Sequence, residues 1–430
     1  MQKESGKKIK NFGALAHTPE RKAILSIAEA GLNAIDTETV FKKGVSLKEN
    51  FLKINNTDFS LSSAKRLFIV GVGKSSAIAA RTLEETFGDR LSGGIVLSID
   101  ETFSSSRITY LQGDHPFPTK RNVDATEKII AFLKERTKDD MVIFIVSGGG
   151  SALLSQPQHI AVEDEAELIK ELFKKGATIQ ELNTVRKHLS FARGGFLAQY
   201  THPASAISLI MSDVPGNDLE FISSGPTVKD NTTIHNASEV LKKYSIHIVP
   251  DAFVETPKDD LYFKSVSNIL FLSNKTALEA MKNKASELGY TAEIVTDSLS
   301  GEAQDVGVQI IEKLHHSASR TVLLYGGETT VTMKGEGVGG RNQELVLAAL
   351  SKILDGENLL AIASDGKDNT TFAGALCDTI TLKKAQEMGL DVGFFLTHYD
   401  SMAFWEKTGD FIQTGPTSSN VSDLIIALKK

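Results

Sequence analysis

Short apolar segments rich in β-branched residues recur along the chain, and each of them ends in Gly, Ser or Asp. Continuous apolar runs of this length are typical of strands in a sheet that is covered on both faces. Several runs are followed by a helical pattern, which indicates strand–helix–strand units and a mostly parallel sheet. The predicted strands read RLFIVGVG, GGIVLSID, MVIFIVSGGG, AISLIMSD, SNILFLSN, TAEIVTD, TVLLYGGE and LLAIASDG. The pattern therefore predicts the α/β fold class.

Helical periodicity is clearest in three segments, which cover residues 18–35, 74–87 and 122–136. The first carries Thr18 as a candidate N-cap and Pro19 at the first helical position, where a missing N–H costs nothing. A polar segment with three prolines, residues 225–263, separates two runs of strands. We therefore expect a larger domain in residues 1–240 and a smaller one in residues 241–430, whose C-terminal helix could pack back on the first.

Composition narrows the range of partners. The chain has 430 residues and a formal net charge of −7, which argues against binding to a nucleic-acid backbone. The single cysteine, Cys377, permits no intrachain disulfide and is expected to be a buried thiol. The first residues contain no apolar signal core, and no later run approaches the roughly 18 apolar residues of a membrane span. The expectation is a cytoplasmic protein that acts on small molecules, with a homo-oligomer left open.

Glycine-rich loops follow several of the predicted strands, at the sheet edge where ligands of parallel sheets gather. The first contains Gly71, Gly73 and Lys74. It fails the dinucleotide fingerprint because Ser76 stands where a third glycine is needed, and it fails the P-loop pattern because Phe68 stands at the first glycine. Glycines before a helix N-terminus still favour an anion, and Lys74 adds a full positive charge. A tight turn with a solvated lysine is the alternative.

The second loop follows the most apolar strand and reads SGGGSALL. Bare N–H groups at the start of a helix can cradle a phosphate, with a structural loop as the alternative. The loop lacks the G-x-S-x-G pattern, which argues against a hydrolase nucleophile. The candidate phosphate-binding residues in the two loops are Gly71, Gly73, Ser147, Gly148, Gly149, Gly150 and Ser151.

Two further segments carry polar residues at useful spacings. Asn183 and Arg186 lie three positions apart in a helical pattern, and Arg193 follows at a compatible distance. Taken alone, such a run is usually a solvated helix. Asp213 lies at the end of an apolar strand and Asp218 follows five residues later, and paired carboxylates at such a place suit Mg²⁺ binding or activation of a hydroxyl group. Either aspartate could instead shape a turn or cap a helix.

The second half of the chain repeats this combination. Gly339 and Gly340 deliver Arg341 to the start of a predicted helix, where a guanidinium group and free N–H groups could clamp a phosphate or carboxylate. Asp365 and Asp368 follow another apolar strand. Six such loops in one chain make coincidence a poor explanation.

The loops together resemble one family. The segments GVGK, DHPFPT, VSGGGSALL, NTVRKHLSFARGG, SDVPGNDLEFISSGPT, GGETTVT, GVGGRNQELVLAA and SDGKDNTTFAGA are similar, in this order, to the two-domain glycerate 2-kinases, whose smaller domain is called MOFRL. The resemblance implies ATP- and Mg²⁺-dependent phosphorylation of D-glycerate at its 2-hydroxyl. It also implies a Rossmann-like larger domain, a smaller α/β domain and an active site in the cleft between them.

The resemblance implies roles for individual residues. Lys74 and Arg341 match the family's basic active-site residues, one from each domain, and Asp213 is expected to orient the attacking hydroxyl. Asp365 and Asp368 are weaker candidates for Mg²⁺ binding. The glycine loops, with Ser151, Gly339 and Gly340, would hold the phosphates of ATP. The candidate substrate-binding residues are Asn183, Arg186, Arg193, Asp218 and Glu328.

Two other functions remain open from the residues. One is a nicotinamide-dependent hydroxypyruvate reductase, a name that members of the family have also carried. Ser76 argues against it, as does Asp100, which lies 29 residues beyond Gly71 rather than the usual ~20. The other is a nucleotide or sugar-acid sensor, which would use the same loops for binding without turnover.

Overall fold

The chain divides into two compact units. The structure is a computed structural model that describes residues 7–99, 103–157, 159–214, 216–247 and 250–430, so Asp100 lies outside the described residues. One unit holds the described residues of 37–213 and 217–271, and we call it the parallel-sheet unit. The other holds those of 1–36, 214–216 and 272–430, and we call it the mixed-sheet unit.

The strands and helices have the following bounds. The strands are β1 (Val45–Lys48), β2 (Phe51–Ile54), β3 (Thr57–Ser60), β4 (Arg66–Val72), β5 (Leu91–Ser98), β6 (Ile108–Gln112), β7 (Asp140–Val146), β8 (Ser205–Met211), β9 (Val266–Leu272), β10 (Thr291–Leu299), β11 (Thr321–Gly327), β12 (Glu357–Ala363), β13 (Gly374–Cys377), β14 (Phe411–Ile412) and β15 (Asp423–Lys429). The α-helices are α1 (Phe12–Leu15), α2 (Pro19–Ala34), α3 (Thr37–Gly44), α4 (Ser76–Phe87), α5 (Lys120–Lys134), α6 (Gly150–Leu153), α7 (Val162–Lys174), α8 (Ile179–His188), α9 (Phe196–Thr201), α10 (Ile234–Lys243), α11 (Asn274–Glu287), α12 (Ala303–His315), α13 (Arg341–Leu350), α14 (Thr379–Glu387), α15 (Val392–His398) and α16 (Ser401–Thr408).

The parallel-sheet unit confirms the predicted α/β class and its Rossmann-like order. Its main sheet has the strand order β6-β5-β4-β7-β8-β9, and the β6/β5, β5/β4, β4/β7 and β7/β8 pairs are parallel. Counted from β4, this is the doubly wound order 3-2-1-4-5-6. The strand order reverses between β4 and β7, so the loops after these two strands border the crevice in which such folds bind ligands.

All eight predicted strands are present, although their burial differs. All seven residues of β7 are buried, whereas β9 has two buried residues and β10 has none. A small antiparallel sheet of β1, β2 and β3 belongs to the same unit and was not predicted. Among the described residues, no helix is both long and apolar enough to cross a membrane.

The mixed-sheet unit has the strand order β10-β11-β15-β12-β13-β14. Only β10 and β11 pair in parallel, and β15 runs antiparallel between β11 and β12 in the middle of the sheet. The expected C-terminal helix is therefore wrong: the last element is a strand, with its first six residues buried. Cys377 on β13 is buried as expected, in the core that α12 and α13 form on one face of this sheet.

Helix α2 belongs to the mixed-sheet unit although it lies near the start of the chain. It packs against α11, β12 and β15. Its fully buried Arg21 donates to both carboxylate oxygens of Asp378 at 2.7 Å and to Asp410 at 2.5 Å. The predicted division into residues 1–240 and 241–430 does not match the two units, because the N-terminal helix covers the second sheet and β9 extends the first.

The three predicted helices exist, with shifted ends in two cases. Helix α2 begins as predicted, with Pro19 at its first position and the Thr18 hydroxyl accepting from the Arg21 N–H. Helix α4 begins at Ser76, two residues later than predicted, because Gly73, with a φ of 121°, and Lys74, whose N–H donates to the Gly148 carbonyl, belong to the loop before it. Helix α5 begins two residues early, where Thr119 forms a capping box.

Candidate active site

The loops after β4 and β7 are joined by main-chain hydrogen bonds. The Ser147 N–H donates to the Val72 carbonyl at 2.9 Å, and the Lys74 N–H donates to the Gly148 carbonyl at 2.9 Å. Gly73 has a φ of 121°, and a Cβ there would lie 2.2 Å from the Ser147 hydroxyl. The glycine is therefore required by close packing of the two loops. The two loops are thus held together by hydrogen bonds and close packing at the point where the strand order reverses.

The side chain of Lys74 lies across the triple-glycine loop. A Cβ at Gly149, whose φ is 86°, would be 3.1 Å from the Lys74 Cγ and 3.2 Å from the His115 Cδ2. Lys74 is half-buried. No hydrogen bond or carboxylate within 4.0 Å is found for its ammonium group among the described residues. The charge of Lys74 is therefore available to a ligand that carries negative charge.

Arg186 on α8 is a second cation near the same place. Arg186 is half-buried, and no carboxylate of the described chain lies within 4.0 Å of its guanidinium group. Burial, together with the charge of Arg193, lowers the pKa of Arg186 to about 10. Arginine in this state still carries a full charge at neutral pH, with little protein charge to balance it.

The charges of Lys74 and Arg186 both act on the ring of His115. Protein atoms around the ring, and then the charges of Lys74 and Arg186, lower the pKa of His115 to about 4. The residue keeps a solvent-exposed face, so water weakens this effect, but every contribution has the same direction. His115 is therefore neutral at pH 7, and the ring does not add to the positive charge.

A chain of three polar side chains runs inward from the triple-glycine loop. The hydroxyl oxygens of Ser151 and Ser224 are 2.9 Å apart, and the Ser224 hydroxyl donates to the Asn183 Oδ1 at 2.6 Å. Ser223 beside it donates to the Ser147 carbonyl at 2.7 Å. Ser223 and Ser224 have φ values of 51° and 59°, a region that non-glycine residues occupy at a cost of about 1–3 kcal/mol.

Two of the expected substrate contacts have internal partners instead. Asn183 is buried, with its amide donating to the Ile179 carbonyl at 3.0 Å, so it supports Ser224 rather than facing a ligand. Arg193 is 1% exposed and donates to Glu165 at 2.5 Å. For both residues, the predicted contact with substrate is at odds with the structure, because helix spacing alone did not reveal which residues were buried.

The two aspartates around the end of β8 differ. Asp213 lies just after the strand and is half-buried. Asp218 is exposed, and its carboxylate accepts from the Glu220 N–H at 3.0 Å. Asp218 thus makes a local turn contact, which agrees with the alternative interpretation that it shapes a turn. The role of Asp213 stays a prediction.

Helix α13 of the mixed-sheet unit begins on a carboxylate supplied by the protein itself. Asp368, fully buried, accepts from the main-chain N–H groups of Asn342 and Gln343 at 3.1 and 2.9 Å. The side-chain amides of the same two residues donate to it at 3.2 and 3.1 Å. A carboxylate has about four lone-pair positions, and all four are used here. Burial and nearby Asp423 raise the pKa of Asp368 to about 6.

This arrangement contradicts two predictions for the second half of the chain. Asp368 has no lone pair left for Mg²⁺. Among the described residues, no group of three or more His, Cys, Asp or Glu side chains could hold a metal ion.

The glycines before α13 serve packing, since a Cβ at Gly339 would be 2.1 Å from the Ser401 hydroxyl and one at Gly340 would be 2.0 Å from the Asp368 carbonyl. The predicted phosphate cradle at Gly339 and Gly340 is therefore already filled by Asp368. Asp365 is half-buried, and its carboxylate accepts from the Lys367 N–H at 3.0 Å.

Arg341, the first residue of α13, is held by carboxylates of its own unit. Its Nε and Nη2 atoms donate to Asp423 at 2.5 and 2.9 Å, and Nη1 lies 2.8 Å from a Glu328 oxygen. These charges raise the pKa of Arg341 above its ordinary value although burial opposes them. Glu328, a predicted substrate contact, is thus an ion-pair partner of Arg341.

Sequence reasoning missed His115, Ser224 and Asp423 as members of these groups. His115 lies in the segment DHPFPT, which contributed to the family resemblance but received no role. Ser224 lies in the SSGPT segment, where nothing marks its hydrogen bond to α8. Asp423 follows Arg341 by 82 residues and begins the unpredicted strand β15. Only the pairing of β15 with β11 and β12 reveals this contact.

Comparison with known proteins identifies the class of protein that combines these two units. Residues 23–256 match the family described as a domain of unknown function, DUF4147, and residues 321–423 match the MOFRL family. The chain therefore belongs to the two-domain proteins that join DUF4147 to MOFRL. Among its relatives is the glycerate 2-kinase of Pyrococcus horikoshii, 35% identical over 428 residues that cover 94% of this chain and 96% of the relative. The chain is a member of the glycerate kinase family.

A solved structure and a second relative add detail. The crystal structure of glycerate kinase from Thermotoga maritima is similar with a TM-score of 0.83 and 32% identity, over 95% of this chain and 99% of that one. A protein of Agrobacterium vitis that carries the provisional name hydroxypyruvate reductase is 35% identical over 84% of this chain and 98% of its own length. The predicted family and fold are thereby confirmed.

Proposed function

We propose that this protein is a glycerate 2-kinase, which transfers the γ-phosphoryl group of ATP to the 2-hydroxyl of D-glycerate. The observation that carries the proposal is the near full-length similarity to glycerate 2-kinases in a chain that keeps unpaired cations at the strand-order reversal. Phosphoryl transfer depends mainly on positioning the reactants and neutralising their charge. A site with uncompensated positive charge meets that requirement.

Lys74 and Arg186 supply the charge in this proposal. Both cations act on His115, and neither has a carboxylate partner in the described chain. Lys74 would neutralise the transferring phosphoryl group or the carboxylate of glycerate. Arg186 would hold a second anionic group of the same complex. The N–H groups of Gly148 and Gly149 would cradle phosphate oxygens, whereas the Gly150 N–H donates to the Ser147 carbonyl at 3.4 Å.

Arg341 and Asp213 complete the proposal. Arg341 is fixed in direction by Asp423 and Glu328, so it can present a remaining N–H to a ligand but offers no net positive charge with those partners. Its joint action with Lys74 stays a prediction, because the two residues belong to different units. Asp213 would orient the attacking hydroxyl from the end of β8.

Mg²⁺ is proposed to arrive with the nucleotide. Asp368 does not fit a metal ligand, because its oxygens already accept four hydrogen bonds. An ion that is bound by the phosphates of ATP needs few protein ligands. Asp365 is the remaining candidate carboxylate for such an ion.

Hydroxypyruvate reduction is the second candidate, favoured by the provisional name of the Agrobacterium relative. The loop after β4 argues against a bound dinucleotide. Ser76 replaces the third glycine, and its hydroxyl donates to the Gly73 carbonyl at 2.7 Å, inside the turn that would have to admit the pyrophosphate.

Two assays on the full chain distinguish these functions. Protein incubated with D-glycerate, ATP and Mg²⁺ should form 2-phosphoglycerate, which phosphorus NMR separates from the 3-phospho isomer. Protein incubated with hydroxypyruvate and NADH or NADPH should leave the absorbance at 340 nm unchanged. Oxidation of the nicotinamide without kinase turnover would reject the proposal, and ligand binding without either reaction would indicate a sensor.

A further inference from the structure

The hydroxyl group of Ser151 has a defined hydrogen-bond direction, which follows from its neighbours. Asn183 contacts the Ile179 carbonyl at 3.0 Å, and a carbonyl can only accept, so the amide nitrogen must point there. The other atom of the Asn183 amide is therefore the oxygen. This oxygen faces Ser224 at 2.6 Å and can only accept from its hydroxyl.

The number of hydroxyl hydrogens then determines that Ser151 is the donor to Ser224. A serine hydroxyl has one hydrogen, and Ser224 gives its hydrogen to Asn183. The 2.9 Å contact between Ser151 and Ser224 can be a hydrogen bond only if Ser151 is the donor. Ser224 and Asn183 are 0% and 1% exposed, so water does not compete for these positions. Ser151 itself is half-buried and can meet a ligand.

The consequence is that Ser151 can offer a ligand only its lone pairs. The oxygens of ATP and of a carboxylate are also acceptors at neutral pH, so they gain nothing from this hydroxyl. An alcohol hydroxyl is a donor and does fit. This differs from the phosphate-holding role predicted for Ser151 from the sequence, because that role requires the hydroxyl to donate.

We propose that Ser151 accepts a hydrogen bond from an alcohol hydroxyl of glycerate, and that Ser224 and Asn183 are positioning residues that impose this direction. The inference rests on the proposed function for the identity of the ligand. It assigns to Ser151 a part in selecting a hydroxy acid over an acid without the hydroxyl, a discrimination that the cations Lys74 and Arg186 cannot make by charge.

The test measures binding, so it does not depend on turnover. Calorimetric titration gives the Kd of D-glycerate, of D-lactate, which lacks the 3-hydroxyl, and of 3-hydroxypropanoate, which lacks the 2-hydroxyl. Ser151→Ala should weaken D-glycerate about tenfold. It should leave unchanged the analogue that lacks the contacted hydroxyl and weaken the other analogue like glycerate. The pair of analogues thereby identifies which hydroxyl Ser151 contacts.

Several results would overturn the inference. They are an unchanged Kd for D-glycerate, equal weakening of all three acids, or a raised KM for ATP with unchanged glycerate binding in the turnover assay. The matched control is Ser238→Ala, whose exposed hydroxyl donates to the Ile234 carbonyl within α10, and it should change none of these values. Kinase turnover of the unaltered protein is recorded separately, so a failure of the proposed function is distinguishable from a failure of this inference.

Ser224→Ala tests the direction itself. Without the Ser224 oxygen, the Ser151 hydroxyl can rotate and donate outward. Binding of inorganic phosphate should then become tighter by about threefold to tenfold. The Ser151→Ala variant should show no such gain. Unchanged or weaker phosphate binding in Ser224→Ala, with a melting temperature near that of the unaltered protein, would contradict the assigned direction.

Discussion

The two units carry similar sequence features but differ in how their charges are balanced. Each has a glycine-rich loop that leads from a buried strand toward a helix with a basic residue nearby. In the parallel-sheet unit, Lys74 and Arg186 have no carboxylate partner among the described residues. In the mixed-sheet unit, Asp368 occupies the start of α13, and Asp423 and Glu328 hold Arg341.

This difference shows that a glycine-rich loop before a helix does not by itself define a phosphate site. A helix N-terminus attracts any anion, and a carboxylate of the protein satisfies it as well as a ligand does. The informative quantity is the charge left over after the protein's own ion pairs have formed. By that measure the parallel-sheet unit is the one prepared for anionic ligands.

The largest effect is expected from removal of the uncompensated lysine. Lys74→Ala should lower kcat for glycerate phosphorylation by roughly 10³-fold, because no other side chain replaces its charge at the triple-glycine loop. Steady-state kinetics measures this loss. The control Lys128→Ala removes an exposed lysine of α5 and should retain full activity. Near-normal activity of Lys74→Ala would remove the main role proposed for this residue.

In the mixed-sheet unit, the corresponding substitution should affect stability instead. Asp368→Asn places an NH₂ group against N–H donors at the start of α13 and should lower the free energy of unfolding by about 3 kcal/mol. Thermal melting should show a decrease of roughly 6–12 °C. The dependence of the rate on Mg²⁺ concentration should not change. A raised Mg²⁺ requirement with unaltered melting would instead support the metal-binding role rejected above.

Alanine substitutions at two glycines with nearly equal φ distinguish the effect of backbone strain from the effect of displacing Lys74. Gly149 (φ 86°) would place a Cβ against Lys74 and His115, whereas Gly176 (φ 80°) has no atom within 4 Å of an added Cβ. Gly149→Ala should lower kcat by roughly 30-fold, because the side chains of Lys74 and His115 must move by a few tenths of an ångström to admit the Cβ, and misplacement of a charged group is costly in catalysis. Gly176→Ala should lose the same stability but no activity. Equal activities in the two variants would argue against the placement of Lys74.

The smallest effect concerns a buried acid in α13. Burial raises the pKa of Glu344 to about 7, and no cation of the described chain lies within 4.0 Å of its carboxylate. The folded protein thus keeps a proton that the unfolded chain releases from about pH 4.5, so its stability falls as pH rises toward 7 and then levels off. Glu344→Gln cannot ionise. As the pH rises from 5 to 8, the melting temperature of Glu344→Gln should therefore rise relative to that of the unaltered protein. The relative gain should reach about 4–8 °C, which corresponds to about 2 kcal/mol in the free energy of unfolding.

Much of the fold could be predicted, because its signals are local. Strands such as β4 and β7 are continuous apolar runs, and Thr18 with Pro19 marks the start of α2 within three residues. The position of α2 on the second sheet could not be predicted, since Arg21 finds Asp378 357 residues later in the chain. Strand β15 is a short apolar run whose pattern suits a helix or a strand.

The candidate site was predictable as a set of loops but not as a distribution of charge. Glycine and lysine in GVGK indicated an anion site, and Lys74 does lie over the triple-glycine loop. The sequence could not show that Arg193 and Asp368 bind partners inside the protein. Glu165 lies 28 residues from Arg193, and the start of α13 lies 25 residues from Asp368. Nor could the sequence show the direction of the Ser151 hydrogen bond, which depends on two further residues.

The most direct test of the account is calorimetric binding of 2-phospho-D-glycerate to the unaltered protein and to Lys74→Met. The ligand carries both anionic groups that the unpaired cations are proposed to hold, and methionine keeps most of the lysine's length without its charge. The account predicts at least tenfold weaker binding to Lys74→Met and unchanged binding to Lys128→Met. Equal affinity of the unaltered protein and Lys74→Met would contradict the claim that the parallel-sheet unit holds the ligand's negative charge.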